Sequence, residues 1–306
     1  MRPETILFQV SSFVLAPLML GVINKTKAFL GGRTGAPIMQ TYFDIWKLLQ
    51  KGVVYSSATT WVFRAGPVVG LAAVSVAMLL VPVGKAGALL QFPGNFILLA
   101  GLLGLMRFFT ILAALDTASA FEGMGASREA MISAIAEGAF FLGLAVLSLT
   151  SGNISLDGML NSGVAVAWGT PAAAALALAV AAIFLVSLAE NARIPVDDPN
   201  THLELTMVHE VMVLDHSGPD FGYIMYSATL KFWIFATLLI GAVLPFRTGN
   251  VLADGIVALC GILAVAVAVG IVESSMARLR MLRVPYLLVT AGALGVLAVT
   301  VALVVR

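Results

Sequence analysis

Eight stretches of mostly apolar residues recur along the chain, at roughly 4–23, 66–84, 95–116, 129–149, 171–189, 224–245, 251–274 and 285–305. Each is about 20 residues long, the length an α-helix needs to cross the hydrocarbon core of a bilayer. Backbone in lipid must satisfy its own hydrogen bonds, so runs this long are helices; they do not fit the alternating pattern of barrel strands. Of the 306 residues, 60% are hydrophobic and 11% charged, against roughly 25% charged in soluble domains, and the mean hydropathy is +1.02. The expected fold is an all-α integral membrane protein, a single polytopic domain spanning 1–306. Few basic residues and no small-residue cleavage site accompany the first run, so it reads as a retained span rather than a signal peptide.

Basic residues set the orientation. Loops after odd-numbered spans hold Lys25, Lys27, Arg33, Lys47, Lys51, Arg64, Arg128, Arg193, Arg278, Arg280 and Arg283, eleven in all. The opposite side holds Arg2, Lys85, Arg247 and Arg306, four in all. Both termini are therefore expected outside, and loops 24–65 and 190–223 in the cytoplasm as a partner-docking face. Arg107 and Lys231 fall inside spans. A net charge of +1 makes no case for nucleic acid. The single cysteine, Cys260, can neither close an intrachain disulfide nor hold an iron–sulfur cluster, so redox cofactors, if used, are carried elsewhere. No internal repeat is evident, which argues against a free-standing inverted-repeat transporter.

The two cytoplasmic loops are not plain linkers. Met39, Tyr42, Phe43, Ile45, Trp46, Leu48 and Leu49 interleave with Asp44, Lys47 and Lys51, as in an amphipathic helix lying at the interface, after a turn at Gly31, Gly32, Gly35 and Pro37. Such a helix equally suits a plain cover for the bundle. From Glu190 to Asp220 the chain gathers seven of its 16 acidic residues and all three histidines. Thr201-His202-Leu203-Glu204 has the form of a capping box, predicting a helix over about 201–214 with Glu204 as cap, proton relay or both. On one helix the histidines, seven residues apart, lie about 10.5 Å from one another, too far to share a metal. No metal centre is expected; proton exchange near neutral pH suits these histidines better. Arg193 and Pro195 read as the end of the fifth span. A short link through Gly123 and Gly125 is expected after the third span, with Ser127 as N-cap of the fourth.

Ionisable groups within a bilayer are costly and are functional candidates by default. Glu129, Ser133 and Glu137 step by four along the fourth span, with Glu137 about 12 Å beyond Glu129 and well inside the membrane. Asp116, Glu190 and Glu273 close the cytoplasmic ends of three spans, and Lys231 lies about 10 Å in from the same side. Helix-end carboxylates such as Asp116 and Glu273 can also be merely solvated at the headgroups. With no acidic residue deep in the outer half, the set amounts to a half-channel continued sideways by another subunit.

Several spaced motifs resemble subunit 1 of respiratory complex I and its relatives in membrane-bound hydrogenases. Glu190, Arg193, Pro195, Asp197, Pro199 and Glu204, with Ser217-Gly218, match the family's cytoplasmic signature. Arg33-Thr34-Gly35, Gln40, Asp44, Lys47, Leu48 and Leu49 match its first-loop pattern. Leu115-Asp116-Thr117, Gly125-Ala126-Ser127-Arg128-Glu129 and Glu273-Ser274-Ser275-Met276-Ala277-Arg278 are closest to the formate hydrogenlyase and group 4 [NiFe]-hydrogenase branch. Asn200 and His202 stand where complex I relatives carry glutamates, and Ile23-Asn24 replace their Glu-Arg. The resemblance implies a multi-pass subunit of a bacterial or archaeal plasma membrane. It implies that Glu129, Glu190 and Glu204 are path glutamates and that Glu137 and Asp116 match the hydrogenase branch; the expected proton (or sodium) path is completed by Glu210, Glu273 and Lys231, candidates from the chain's own charge pattern. Arg33, Gln40, Asp44, Lys47, Arg193, Asp197, Asp198, His202 and His209 are implied to face a peripheral module or line a quinone-like cavity. The implied partners are peripheral hydrogenase-like and iron–sulfur subunits, which carry the clusters and a NiFe site, and antiporter-like membrane subunits. This chain itself binds no cofactor on that reading, although a quinone is possible. A quinone-site subunit of a complex I-type oxidoreductase and a passive anchor are the alternatives.

Overall fold

The computed structural model describes residues 3–163, 168–198, 207–244 and 249–305. They form a helical bundle: α1 (Pro3–Leu15), α2 (Leu18–Leu30), α3 (Gln40–Leu49), α4 (Trp61–Leu79), α5 (Asn95–Asp116), α6 (Ala120–Ser151), α7 (Ala173–Glu190), α8 (Gly218–Val243), α9 (Val251–Ser275) and α10 (Val284–Val305). Seven of the described helices are each long and apolar enough to cross a membrane, and α1 with α2 meets the same measure only as a bent pair. The chain is a multi-pass membrane protein. The aromatic residues Phe232, Trp233 and Phe235 of α8 sit in the main core with Phe140 and Leu144 of α6.

The first span departs from the expected single helix at 4–23: α1 and α2 meet at 50°. Pro17 sits at the break and has no N–H to give the carbonyl of Phe13. That carbonyl accepts instead from the Tyr226 hydroxyl at 3.0 Å, and Val14 O accepts from the Tyr42 hydroxyl at 2.5 Å. The bend is thus held by tyrosines of α8 and of α3, the amphipathic helix expected in the first loop.

The fourth span corrects a second expectation. Ser127 caps nothing: α6 begins at Ala120, and the Ser127 hydroxyl donates to Met124 O within it. Gly123 and Gly125 are both inside the helix, and at Gly125 the loop before α8 lies flush against it. A Cβ on Gly125 would meet Val211 Cγ1 at 2.3 Å and Val208 O at 3.0 Å. The second span also starts earlier than expected, at Trp61, where the Thr60 side chain accepts from Val62 N.

In the loop between α7 and α8, Thr201, His202 and Glu204 lie outside the described residues. The helix expected over 201–214 does not extend through the described part: 207–209 are non-helical and Glu210–Val213 is a 3₁₀ turn. Carbonyl-to-carboxylate competition explains this, because Asp197 takes the N–H groups of Val208 and His209, at 3.2 and 3.1 Å. Asp254 also corrects the view that buried acids crowd one half: it is 4% exposed in the first turn of α9, at the end opposite Glu273.

Candidate functional site: a run of buried ion pairs

Arg107, halfway along α5, is the hub. Its guanidinium contacts three carboxylates: Glu190 at 2.5 Å, Glu137 at 3.5 Å and Glu129 at 3.7 Å. The second oxygen of Glu190 pairs with Lys231 Nζ at 2.8 Å. The second oxygen of Glu129 faces His209 Nε2 at 3.2 Å, and His209 Nδ1 lies 3.6 Å from Asp197 Oδ2. Asp197 Oδ1 closes the run on Arg278 at 2.8 Å. Four helices and two loops therefore deliver one continuous set of charges. With His209 protonated it balances: Arg107, Lys231, His209 and Arg278 against Glu129, Glu137, Glu190 and Asp197.

Local sequence accounts for each position. Glu129 and Glu137 are eight residues apart on α6, just over two turns, so both reach the same guanidinium. Glu190 is the last residue of α7, and Lys231 is midway along α8, the most enclosed span at 67% buried. Glu190 and Glu129 are each at most 6% exposed, whereas the Glu137 side chain is 44% exposed. Glu137 thus sits at the rim of the cluster rather than in its dry interior, in a cleft shared with Arg107, Glu190, Phe140 and Phe235.

In the loops, electrostatics decide the protonation states. Burial by itself would depress His209, but the carboxylates of Glu129 and Asp197 push its pKa up to about 10. Burial would raise Asp197, but the hydrogen bond and charge of His209, with Arg278, hold its carboxyl below the ordinary value. Each partner fixes the other in its charged form.

A second cluster lies beside the first. Glu273, with its side chain wholly buried, takes Lys27 at 2.7 Å and Arg193 at 3.4 Å. Leu279 N donates to Pro195 O at 2.9 Å. With Arg278 on Asp197, the end of α9 is fastened along residues 193–197 at three points.

Residues 4–305 match the NADH dehydrogenase family. The chain belongs to the NADH dehydrogenase subunit 1 family. Formate hydrogenlyase subunit 4 of Escherichia coli (strain K12) is 30% identical over 275 residues, 88% of each chain. Hydrogenase-4 component C of the same organism is also 30% identical over 275 residues, 88% of this chain and 85% of that one. The fold is shared with a chain of the membrane-bound sulfane sulfur reductase, an archaeal respiratory membrane complex, at a TM-score of 0.82 and 19% identity over 98% of both chains.

The remaining candidates of this subunit 1-type chain are placed apart from the run. Asp116 accepts from Thr60 N at 2.6 Å, from the Thr60 hydroxyl at 2.9 Å and from Phe63 N at 3.2 Å, so it caps α4. Gln40 donates to Asp44 at 2.8 Å along α3, where Lys47 is exposed, and Arg33 is exposed in the turn before it. Asp198 N donates to Asp197 Oδ1 at 2.9 Å. Glu210 is half-buried in its 3₁₀ turn near Arg193. Ser217-Gly218, the family's closing dipeptide, has a backbone reason. Gly218 adopts φ +56, and a Cβ there would meet Gly52 O at 2.5 Å, so the first loop presses directly on the start of α8. Sequence reasoning noticed Arg107 only as a basic residue in a span, although the rule that promoted Glu137 applies to it equally. Lys27 counted only toward orientation, and Arg278 toward orientation and a family motif; their pairing depends on the bend of α2 and the course of α9.

Proposed function

We propose that this chain is the membrane-anchoring, proton-path subunit of a multi-subunit, redox-driven complex of hydrogenase type. The observation that carries the reading is the unbroken run from Asp197 through His209, Glu129 and Arg107 to Glu190, Lys231 and Glu137. One end lies in the loop that a peripheral module would cover; the other lies within the bundle. Hydrogenase-like and iron–sulfur partners do the electron chemistry, since this chain's one cysteine holds no cluster. Loops 24–65 and 190–223 form their docking face on the cytoplasmic side, with both termini outside and the plasma membrane of a bacterium or archaeon as the setting.

In the mechanism, a charge change beneath the loop shifts the His209–Asp197 tie, and the balanced run responds by taking up or releasing a proton at a carboxylate. The ion carried is a proton, with sodium the alternative. Moving one charge against 100 mV costs about 2.3 kcal/mol, comparable to a pKa change of under two units at a buried glutamate. Glu137 is the exit. A carboxylate facing lipid at mid-bilayer costs about 2.5–3.5 kcal/mol, so an antiporter-like membrane subunit covers it, against the face where α5 is only 22% buried.

A quinone-site reading has one observation in its favour, an apolar groove lined by Phe13, Val14, Tyr42, Phe43, Trp46 and Tyr226. Its residues fit an isoprenoid or acyl tail better than a quinone head. Both tyrosine hydroxyls donate to the bent first span, which leaves the indole N–H of the exposed Trp46 as the side-chain donor the groove could offer a quinone carbonyl.

The test is Glu137→Gln in the intact complex. Proton translocation falls while assembly and electron transfer to the partner's acceptor persist. Undiminished translocation would reduce the chain to a passive anchor.

A further inference from the structure

A cavity that the run of ion pairs does not use lies between α4, α5 and α8, lined by Gly66, Pro67, Met106, Thr110, His216 and Ser227. His216 forms its loop-side end. The residue is only 8% exposed, its ring is stacked on Phe63 at 4.0 Å with an interplanar angle of 7°, and its Nδ1 is buried with no hydrogen-bond partner among the described residues. A buried polar atom left dry costs about 1–3 kcal/mol. The hydroxyls of Thr110 and Ser227 donate to Met106 O and Tyr223 O, at 3.0 and 2.7 Å, and each keeps capacity to accept. A buried water needs about two to four polar partners, and the lining supplies them.

Charged residues stand beyond both ends of the cavity. Asp220, Ile224, Ser227 and Lys231 fall at i, i+4, i+7 and i+11 of α8, a single stripe. Ser227 is thus about 6 Å along the axis from Lys231, whose Nζ pairs with Glu190. Thr110 is about 4.5 Å along α5 from Arg107. At the other end, Tyr55 donates to Asp220 at 2.9 Å, packs edge-on to Phe63 at 6.3 Å and carries Arg64 over its ring at 4.4 Å. Burial drives the His216 pKa down to about 4, so at neutral pH the ring has one donor and one acceptor nitrogen. Such a ring can accept a proton at one nitrogen while releasing its own from the other, without storing charge.

We propose that this cavity is a hydrated side entrance: water held by His216, Ser227 and Thr110 carries protons from the loop side to Lys231 and Glu190, bypassing His209. The purpose of the entrance rests on the proton-path reading above; its hydration does not. Radiolytic hydroxyl-radical footprinting of the intact complex in nanodiscs tests the water. Met106, in the cavity wall, is oxidised several times faster than Met19 and Met78, which are 0% and 2% exposed in the core. Ser227→Val with Thr110→Val returns it toward their rate. Equal, slow oxidation of all three overturns the proposal. Delivery is read in the same double variant, with the milder Thr110→Val alone as the check on folding. Proton-coupled turnover falls by about tenfold and the solvent deuterium isotope effect rises. A wet cavity with unchanged turnover and isotope effect, while Glu190→Gln still stops translocation, defeats the entrance alone. If Glu190→Gln is also silent, the proton-path reading fails with it.

Discussion

Glu190 and Glu273 are both helix-end carboxylates, both buried, and both clasped by two cations. Their surroundings differ in connectivity. The cations on Glu190 lead on: Arg107 also touches Glu129 and Glu137, and Glu129 touches His209. The cations on Glu273 come from α2 and from the loop after α7; Arg193 also feels the charge of nearby Glu210, but among the described ion pairs neither cation reaches a carboxylate of the run. One acid belongs to a run, the other to a clasp that ties the bent first span and α9 to the loop. Burial and pairing make an intramembrane carboxylate tolerable; only a shared cation or imidazole gives a proton somewhere to go.

That contrast can be broken most forcefully at Arg107. Arg107→Leu leaves three carboxylates without their common cation, and breaking a buried pair from one side costs about 3–5 kcal/mol. The expected outcome is loss of translocation together with a large fall in the melting temperature of the solubilised complex. Glu273→Gln should separate the two clusters. It should cost about 2 kcal/mol and loosen the peripheral module on native gels, while the assembled fraction keeps its ratio of protons to electrons. A lowered ratio would move Glu273 into the path.

The loop tie sharpens the comparison through pH. The pKa of His209 is raised on folding from 6.5 to about 10, so its contribution is complete below the unfolded value and is lost as pH climbs through about 10. Asp197 is lowered on folding, so its contribution is present above its unfolded value and fades as pH falls through the depressed one. Hydrogen exchange over residues 207–213 should therefore stay slow through neutral pH and quicken near pH 10, with the alkaline step absent in His209→Gln. The smallest effect is expected at Asp116. Thr60→Ala or Asp116→Asn weakens the start of α4 by about 1 kcal/mol or less and leaves coupling unchanged, which distinguishes a cap from a relay.

The spans were legible because a bilayer tolerates so few alternatives; the third run, 95–116, matches α5 end for end. The misplaced starts share a cause. Ser127 looked like a cap, and Gly123 and Gly125 like a link, since nothing local announces that another loop will press on that face. The glutamates of the proposed path could be named from span position, but their common partner could not, because Arg107 becomes a hub only when α5, α6 and α7 are assembled. His216 reads from the sequence as one of three evenly spaced histidines suited to proton exchange near neutral pH; burial instead takes it down to about 4. Its isolation under Phe63 follows from where α4 begins and where Gly218 turns the chain.

The length of α6 has a mechanical consequence. Its 32 residues make a rod of about 48 Å, longer than the roughly 30 Å hydrocarbon core. Residues 208–212 rest on one part of it through Gly125, and Glu129 and Glu137 ride on the same rigid shaft. A push from above would tilt the shaft as a unit instead of denting it locally, so a small swing at the docking face would be felt at the glutamate deepest in the oil.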